Sequence, residues 1–547
     1  MGGHLSHLKP EASHYVLNCS CGPIRGNIYK HGVRTVEGYL GIPYAKPPIG
    51  NLKFKKPVAF ERWDTVRDCT IFGPVCPQTN ILNSNSGIPM AEDNCLTLNV
   101  FRPTWESPEY SLKGRPVMVF IHGGGYEMGS SRDFCDYSLT GTLTLKDVIV
   151  VTINYRLNIF GFLTTGDEVC RGNFGLWDQT LALKWIQEHI QSFGGDANNV
   201  TVFGQSAGGA SVDLLSLSPH SRDLFHKMIA MSGASASEFA MRTADSQSKI
   251  FREYARKHGY KGSDNSEELL SWYKSTPLHV LIDFLNFPKS VSGFLSFTPN
   301  LDGDFFPKPL EQLRKEAPRK PIMTGVCEYE GLMLALLGVN PESAGDDVFR
   351  SRLRKSYGAD IFDRAEEVQK EILDFYMKDV DMTNEANVKK QLVIAVGDLL
   401  FNHGAYVTAR ECAKFGNPVY FYTFAYANLK NFGALEAIIP FKAPTHCSDL
   451  RYVLGEGYYS KFEPDDDDMK MLEIMTSYYT NFAKYGNPNN NGTNDWKTYD
   501  LKRPFTCFRI TLPKSYMSDD FADGRLAFLD EVHKRNIQFN KLRYGKL

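Results

Sequence analysis

The stretch Asn199-Val-Thr-Val-Phe-Gly-Gln-Ser-Ala-Gly-Gly-Ala210 constrains the fold of this chain more than any other. A β-branched and aromatic run passes through Gly204-Gln205-Ser206-Ala207-Gly208 into a small-residue helix start. This fits G-x-S-x-G, in which a strand turns so sharply into a helix that the flanking positions must be small and the serine hydroxyl stands above a sheet. Such a hydroxyl is a weak nucleophile at neutral pH. A catalytic reading of Ser206 therefore requires a base, a group that orients the base, and donors for an oxyanion.

The neighbouring segments supply the sheet. Val148 to Ile153 is a continuous apolar run, as expected of a strand buried on both faces, and Leu176 to Phe193 follows as an amphipathic helix with Leu183, Ile186, Ile190 and Phe193 on one face. Strand and helix then alternate to Ser206, which predicts an α/β fold with a mostly parallel sheet between helices. Short apolar strands recur at Lys227 to Met231, Pro321 to Val326 and Pro418 to Phe424. Gly22 to Tyr29 and Val36 to Tyr44 are expected to form an antiparallel edge. Thr243 to Lys320 reads as helices and loops of a kind that could cover a site, Asp346 to Lys414 as mostly helical, and Met469 to Tyr485 as a helix whose dipole is met by the acids Asp465 to Asp468. No repeat or composition break divides the chain, so residues 1–17 are read as a polar leader and 18–547 as one domain.

The strand Pro116 to Ile121 ends in His122-Gly123-Gly124-Gly125-Tyr126, where consecutive glycines let backbone N–H groups approach a ligand. In folds with the order serine, acid, histidine, the base comes late, which leaves His403, His446 and His533. His446 sits in a proline-containing loop, whereas the other two lie in helical contexts that suit surface or core histidines. For the acid, Cys327-Glu-Tyr-Glu-Gly331 offers Glu328 and Glu330, two apart and on one face if the segment stays extended. Periodicity does not separate them.

Composition narrows the function classes. Lys plus Arg number 61 against 63 Asp plus Glu, giving a net charge of -2, so no whole-chain field points to nucleic acid or an anionic membrane. There is no apolar run of eighteen residues and no apolar core of a signal peptide in the first twenty, so neither a transmembrane helix nor a secretory route is expected, and the reading is intracellular and cytoplasmic. Met1-Gly2-Gly3-His4-Leu5-Ser6 fits the myristoylation pattern at Gly2, which would give a lipoprotein held weakly and reversibly at a membrane. Cys19 and Cys21 would then be either acceptors of a second acyl group or plain strand and loop thiols. The 11 cysteines form no C-x-x-C pair or Cys/His cluster, so neither a metal site nor a disulfide scaffold is expected. The sequons at Asn18, Asn199 and Asn491 are read as chance matches.

Taken together, Tyr39-Leu-Gly-Ile-Pro-Tyr-Ala-Lys-Pro-Pro48, Cys95-Leu-Thr-Leu-Asn-Val100, the glycines after His122, Asn154-Tyr-Arg-Leu157, Phe174-Gly-Leu-Trp-Asp-Gln179, Phe193-Gly-Gly-Asp196, the Ser206 elbow and Asn481-Phe-Ala-Lys484 resemble the type-B carboxylesterase/lipase family, cholinesterase-like α/β-hydrolases. The resemblance implies an α/β-hydrolase fold with helical insertions over the active site, and Ser206, Glu330 and His446 as catalytic triad. It implies Gly124, Gly125 and Ala207 as oxyanion hole, a small-molecule ester as substrate, and no metal or organic cofactor. Ser232 resembles a family serine that supports the acid and histidine. Cys76 and Cys95 match the family's first disulfide, although the lack of its other bridges suits a member whose thiols stay reduced. Gln205 stands where cholinesterases carry glutamate, and the Cys76 to Cys95 loop has no tryptophan for a quaternary ammonium, so small to medium uncharged acyl esters are expected in place of choline esters. Adhesion-type binding proteins of the same fold, and lipases or thioesterases for long acyl chains, are the alternatives.

Overall fold

Apolar runs set between helical segments become the strands of one twelve-stranded sheet. The computed structural model describes residues 10–545 except 79–89, 92, 283–292, 338–348, 351, 352, 355, 434, 435, 437, 438, 459 and 490–493. Gly2, the sequon at Asn491 and parts of the 76–95, 243–320 and 346–414 segments therefore lie outside the described residues.

Across the sheet the strands run Glu11–Ala12, Asn27–His31, Arg34–Pro43, Thr97–Pro103, Ile149–Ile153, Arg115–Ile121, Gly195–Gln205, Lys227–Met231, Ile322–Cys327, Val419–Phe424, Cys507–Ile510 and Tyr516–Ser518. From Ile149–Ile153 to Cys507–Ile510 every neighbour is parallel, and the two ends are antiparallel. The result is a large, mostly parallel sheet between helices, as the alternation of strands and helices in the sequence requires. All five residues of Ile149–Ile153 are buried, as a strand covered on both faces requires.

The expected edge needs one correction. Gly26 breaks the first segment, so Asn27–His31 joins the central sheet while Gly22–Arg25 pairs with Leu17–Cys19 and Arg67–Asp68 in a separate three-stranded sheet. On one face of the central sheet, helix Phe174–His189 and the 3-10 turn Ile190–Phe193 bury Leu183, Ile186, Ile190 and Phe193 with Val200 and Val202. On the other face, Phe203 packs with Met475 and Tyr479 of helix Asp466–Tyr485. That helix opens on a capping box: Asp465 accepts from the N–H groups of Asp467 and Asp468, and Asp468 accepts from the N–H of Asp465. The two motifs around Asn154 and Phe174 meet in a buried ion pair, Arg156 donating to Asp178 through Nε and Nη2 at 2.7 Å each.

The helical span Glu385–Lys414 is apolar and long enough to cross a membrane although polar residues interrupt it, but 89% of its most apolar window is buried within the fold. Cys76 and Cys95, which match the family's first disulfide in position, are joined as a disulfide, and the other nine cysteines are free.

Candidate active site

Strand Arg115–Ile121 is followed in the sheet by Ile149–Ile153 on one side, and the chain then crosses back to lay Gly195–Gln205 on the other. The connections diverge at these two central strands, and the crevice at their carboxyl ends is where open α/β sheets place ligands. The register pairs Gly204 with Ile121, so the glycine loop after Ile121 and the turn after Gln205 emerge side by side.

At that turn Ser206 has φ 59° and ψ -125°, a left-handed conformation for a residue with a side chain. Such a backbone costs roughly 1–3 kcal/mol and persists only where its surroundings hold it. Here the Ser206 N–H donates to Met231 O at 2.8 Å, and helix Ala207–Leu217 starts at the next residue. The small residues answer a measurable crowding: a Cβ at Gly208 would lie 2.1 Å from Ile121 O, and one at Gly233 would lie 2.0 Å from Ser206 O. The glycine loop is held equally closely. A Cβ at Gly123 would meet Gln205 O at 2.6 Å, and Gly124 and Gly125 adopt φ of 104° and 64°. His122, stacked on Tyr155, is kept neutral by burial, its pKa lowered to about 4, and donates through Nδ1 to Gly123 O at 2.9 Å. Among the described residues nothing accepts from the N–H of Gly124 or Gly125. The Ala207 N–H opens a helix and has no intrahelical acceptor.

His446 and Glu330 converge on the same crevice. Their side chains are 3% and 0% exposed, and His446 Nδ1 lies 2.6 Å from Glu330 Oε2. Strand Ile322–Cys327 ends before the acid, and Glu330 begins a 3-10 helix. Glu328 and Glu330 thus do not share a face: Glu328 turns away to pair with Arg509 at 2.7 Å. The second oxygen of Glu330, Oε1, accepts from Ser232 Oγ at 2.6 Å and from the Cys327 N–H at 2.5 Å. Burial works against a charged imidazole, but the Cys447 sulfur and the Glu330 carboxylate outweigh it and raise the proton affinity of His446. The Phe401 ring packs on the imidazole with centroids 4.3 Å apart, from a π-helical turn Asp398–Asn402 inside the long helical span.

Of the other two candidate histidines, His403 is buried against Asp530 at 3.1 Å, a satisfied core residue. His533 is also buried, yet neither ring nitrogen has a partner among the described residues. Among the described residues neither is hydrogen-bonded to Ser206.

Two neighbours were not foreseen. Gln205 Nε2 lies 3.1 Å from His446 Nε2, and when the ring is neutral with its proton on Nδ1 facing Glu330 that nitrogen is an acceptor for the amide. Among the described residues no hydrogen bond joins Ser206 Oγ to His446, so Gln205 occupies the lone pair that a serine proton would need. Asp449, fully buried with both carboxylate oxygens unpartnered among the described residues, is pushed up to about 7 by burial and by the charge of Glu330. Its place three residues after His446 was the available sequence signal. Among the described residues no group of His, Cys, Asp and Glu is arranged to hold a metal ion.

The carboxylesterase family model matches residues 13–529. The chain is 55% identical to esterase cest-33 of Caenorhabditis elegans, over 100% of this chain and 99% of that protein. It is 33% identical to juvenile hormone esterase of Tribolium castaneum, over 96% and 92% of the two chains. It is also 33% identical to liver carboxylesterase 1 of Oryctolagus cuniculus, over 91% and 89%.

Proposed function

The chain belongs to the carboxylesterase family, and from that premise we propose that it hydrolyses small to medium uncharged carboxylic esters through a Ser206, His446 and Glu330 triad. The observation that carries this reading is the chain of contacts from the Glu330 carboxylate through His446 to the crevice where Ser206 stands beside free backbone N–H groups.

In the proposed first half-reaction the ester carbonyl sits against the N–H groups of Gly124, Gly125 and Ala207. The Gln205 amide leaves His446 Nε2, which then takes the Ser206 proton as Oγ attacks the carbonyl carbon. Glu330 keeps the other ring nitrogen protonated and stabilises the imidazolium, and the three N–H donors meet the charge that develops on oxygen, where losing one such donor costs about 2.7–4 kcal/mol. His446 returns the proton to the alcohol, which leaves, and an acyl-enzyme remains. Water enters with His446 again as base, and the acid is released. Ser232 and Cys327 act by holding Glu330.

The substrate reading rests on charge. Gln205 places a neutral amide beside the nucleophile, so no carboxylate there draws a quaternary ammonium. Attachment to a membrane through an acylated Gly2 belongs to the same proposal. Initial rates on p-nitrophenyl acetate and butyrate, on a long-chain ester presented in micelles, and on a choline ester test the substrate class, and mass spectrometry of the amino terminus tests the acyl group. Turnover is expected on the first two. A preference for the micellar ester or for the choline ester would overturn the substrate class.

A further inference from the structure

The separate small sheet carries a pair of thiols that ester hydrolysis does not use. Leu17–Cys19 and Gly22–Arg25 form an antiparallel hairpin in which Cys19 pairs with Gly22, so Ser20 and Cys21 are its two-residue turn. The Cys19 and Cys21 sulfurs lie 2.9 Å apart, inside the ordinary separation of two unbonded sulfurs. Residues two apart in a turn also have the Cα separation a disulfide spans, about 4.4–6.8 Å. The turn is clamped from outside, since Trp63 Nε1 donates to Pro23 O at 3.1 Å and the Trp63 N–H to Cys21 O at 3.2 Å.

We propose that Cys19 and Cys21 form a reversible redox pair that hydroperoxides oxidise to a disulfide. The two sulfurs have unequal surroundings. Cys19 is met by the S–H of Cys21 and, at 3.4 Å, by its backbone N–H, with the Ser192 and Ser20 hydroxyls close by. Those donors outweigh burial and hold the Cys19 thiol at about 7, while donation to Cys19 and burial push the Cys21 thiol up. Cys19 is thus the attacking sulfur and Cys21 the resolving one. Ser20 itself is exposed, and its hydroxyl lies 2.8 Å from His189 Nδ1 and 3.2 Å from Ser192 Oγ. The turn thus separates the sulfurs from solvent by one residue. Each cysteine is 4% exposed, which admits a small peroxide and disfavours a bulky acyl donor.

The chemistry balances. The Cys19 thiolate attacks one peroxide oxygen; an S–O bond forms, the O–O bond breaks, and the leaving hydroxide or alkoxide takes a proton. Cys21 then attacks the Cys19 sulfenic acid; an S–S bond forms, the S–O bond breaks, and water leaves with the Cys21 proton. Two thiols lose two electrons and two protons, and the hydroperoxide is reduced to water and an alcohol, or to two waters. A dithiol reductant reverses the step.

The test treats the full chain with hydrogen peroxide and maps thiols by alkylation and mass spectrometry before and after dithiothreitol. The expected result is a Cys19–Cys21 linkage that dithiothreitol reverses, with alkylation of Cys19 falling by about tenfold. In Cys21→Ser, Cys19 should proceed to sulfinic acid, and ester hydrolysis without peroxide should be unchanged. The proposal is overturned if both sulfurs stay reduced while the more exposed Cys135 oxidises. It is also overturned if either sulfur links to Cys69, or if Cys19 of the unaltered chain over-oxidises.

Discussion

Replacing Glu330 with glutamine changes one atom, and the structure dictates which way that atom points. Oε1 accepts from the Ser232 hydroxyl and from the Cys327 N–H at 2.6 and 2.5 Å, and a backbone N–H can only donate. An amide at this position must therefore keep its oxygen at Oε1 and put its NH2 at Oε2, 2.6 Å from His446 Nδ1. The NH2 donates to Nδ1, so the ring carries its proton on Nε2 and has no lone pair there for Ser206. The fold is barely touched, since size is kept and the only hydrogen bond lost is the one from the Gln205 amide to Nε2. In a triad of this kind the wrong tautomer lowers turnover by about 10⁴, equivalent to roughly 5 kcal/mol of transition-state stabilisation. The assay is stopped-flow release of p-nitrophenol from the acetate ester beside a urea unfolding curve. The expected outcome is a fall in acylation rate of about three to four orders of magnitude with an unchanged unfolding midpoint. A Glu330→Gln rate within tenfold of the unaltered chain would refute the reasoning, because the acid would then not set the tautomer.

Three further perturbations follow from buried groups. Asp213, fully buried, accepts from Arg314 Nη1 and Nη2 at 2.9 Å each; Asp213→Ala strands that guanidinium and should cost about 3–5 kcal/mol in urea unfolding. The Asp213 carboxyl is raised by burial and lowered further by Arg314, to a net value below its ordinary range. Its stabilisation is present above the unfolded value and lost as pH falls through the folded one, and the alanine variant should lack that acid limb. Asp449 behaves oppositely. Its carboxyl, pushed up to about 7, binds a proton more tightly folded than unfolded, so stability should fall as pH rises from about 4 to 7, and melting curves of Asp449→Asn should be flatter there. Gln205→Ala frees His446 Nε2 from a hydrogen bond worth about 0.5–1.5 kcal/mol and should speed acylation by roughly two- to tenfold, whereas slower acylation would mean that the amide orients the ring.

Much of the fold was legible because local pattern and tertiary demand agree. Ile149–Ile153 is apolar throughout since both its faces are covered, and the Ser206 elbow carries glycines where neighbouring carbonyls leave no room for a Cβ. The choice between Glu328 and Glu330 was not legible from periodicity, because it depends on where the strand stops. Extension ends at Cys327, and the following 3-10 turn sends one carboxylate to Arg509 and the other to His446. The contact between Gln205 and His446 joins residues 241 apart, and no local signal encodes such a meeting. The same holds for Asp449, whose isolation depends on what packs around it. Cys76 and Cys95, 19 positions apart in the sequence, are bonded with their Cα atoms 4.9 Å apart, which spacing alone does not require.

The central claim is that Ser206 is the nucleophile of an ester hydrolase, and covalent labelling tests it most directly. A fluorophosphonate added to the full chain should attach to one site, map to the peptide containing Gly204 to Gly208, and abolish hydrolysis of p-nitrophenyl butyrate in step with labelling. Ser206→Ala, folded by its unfolding curve, should take no label and hydrolyse no ester above background. A label on another residue, or ester hydrolysis that survives in Ser206→Ala, would contradict the account.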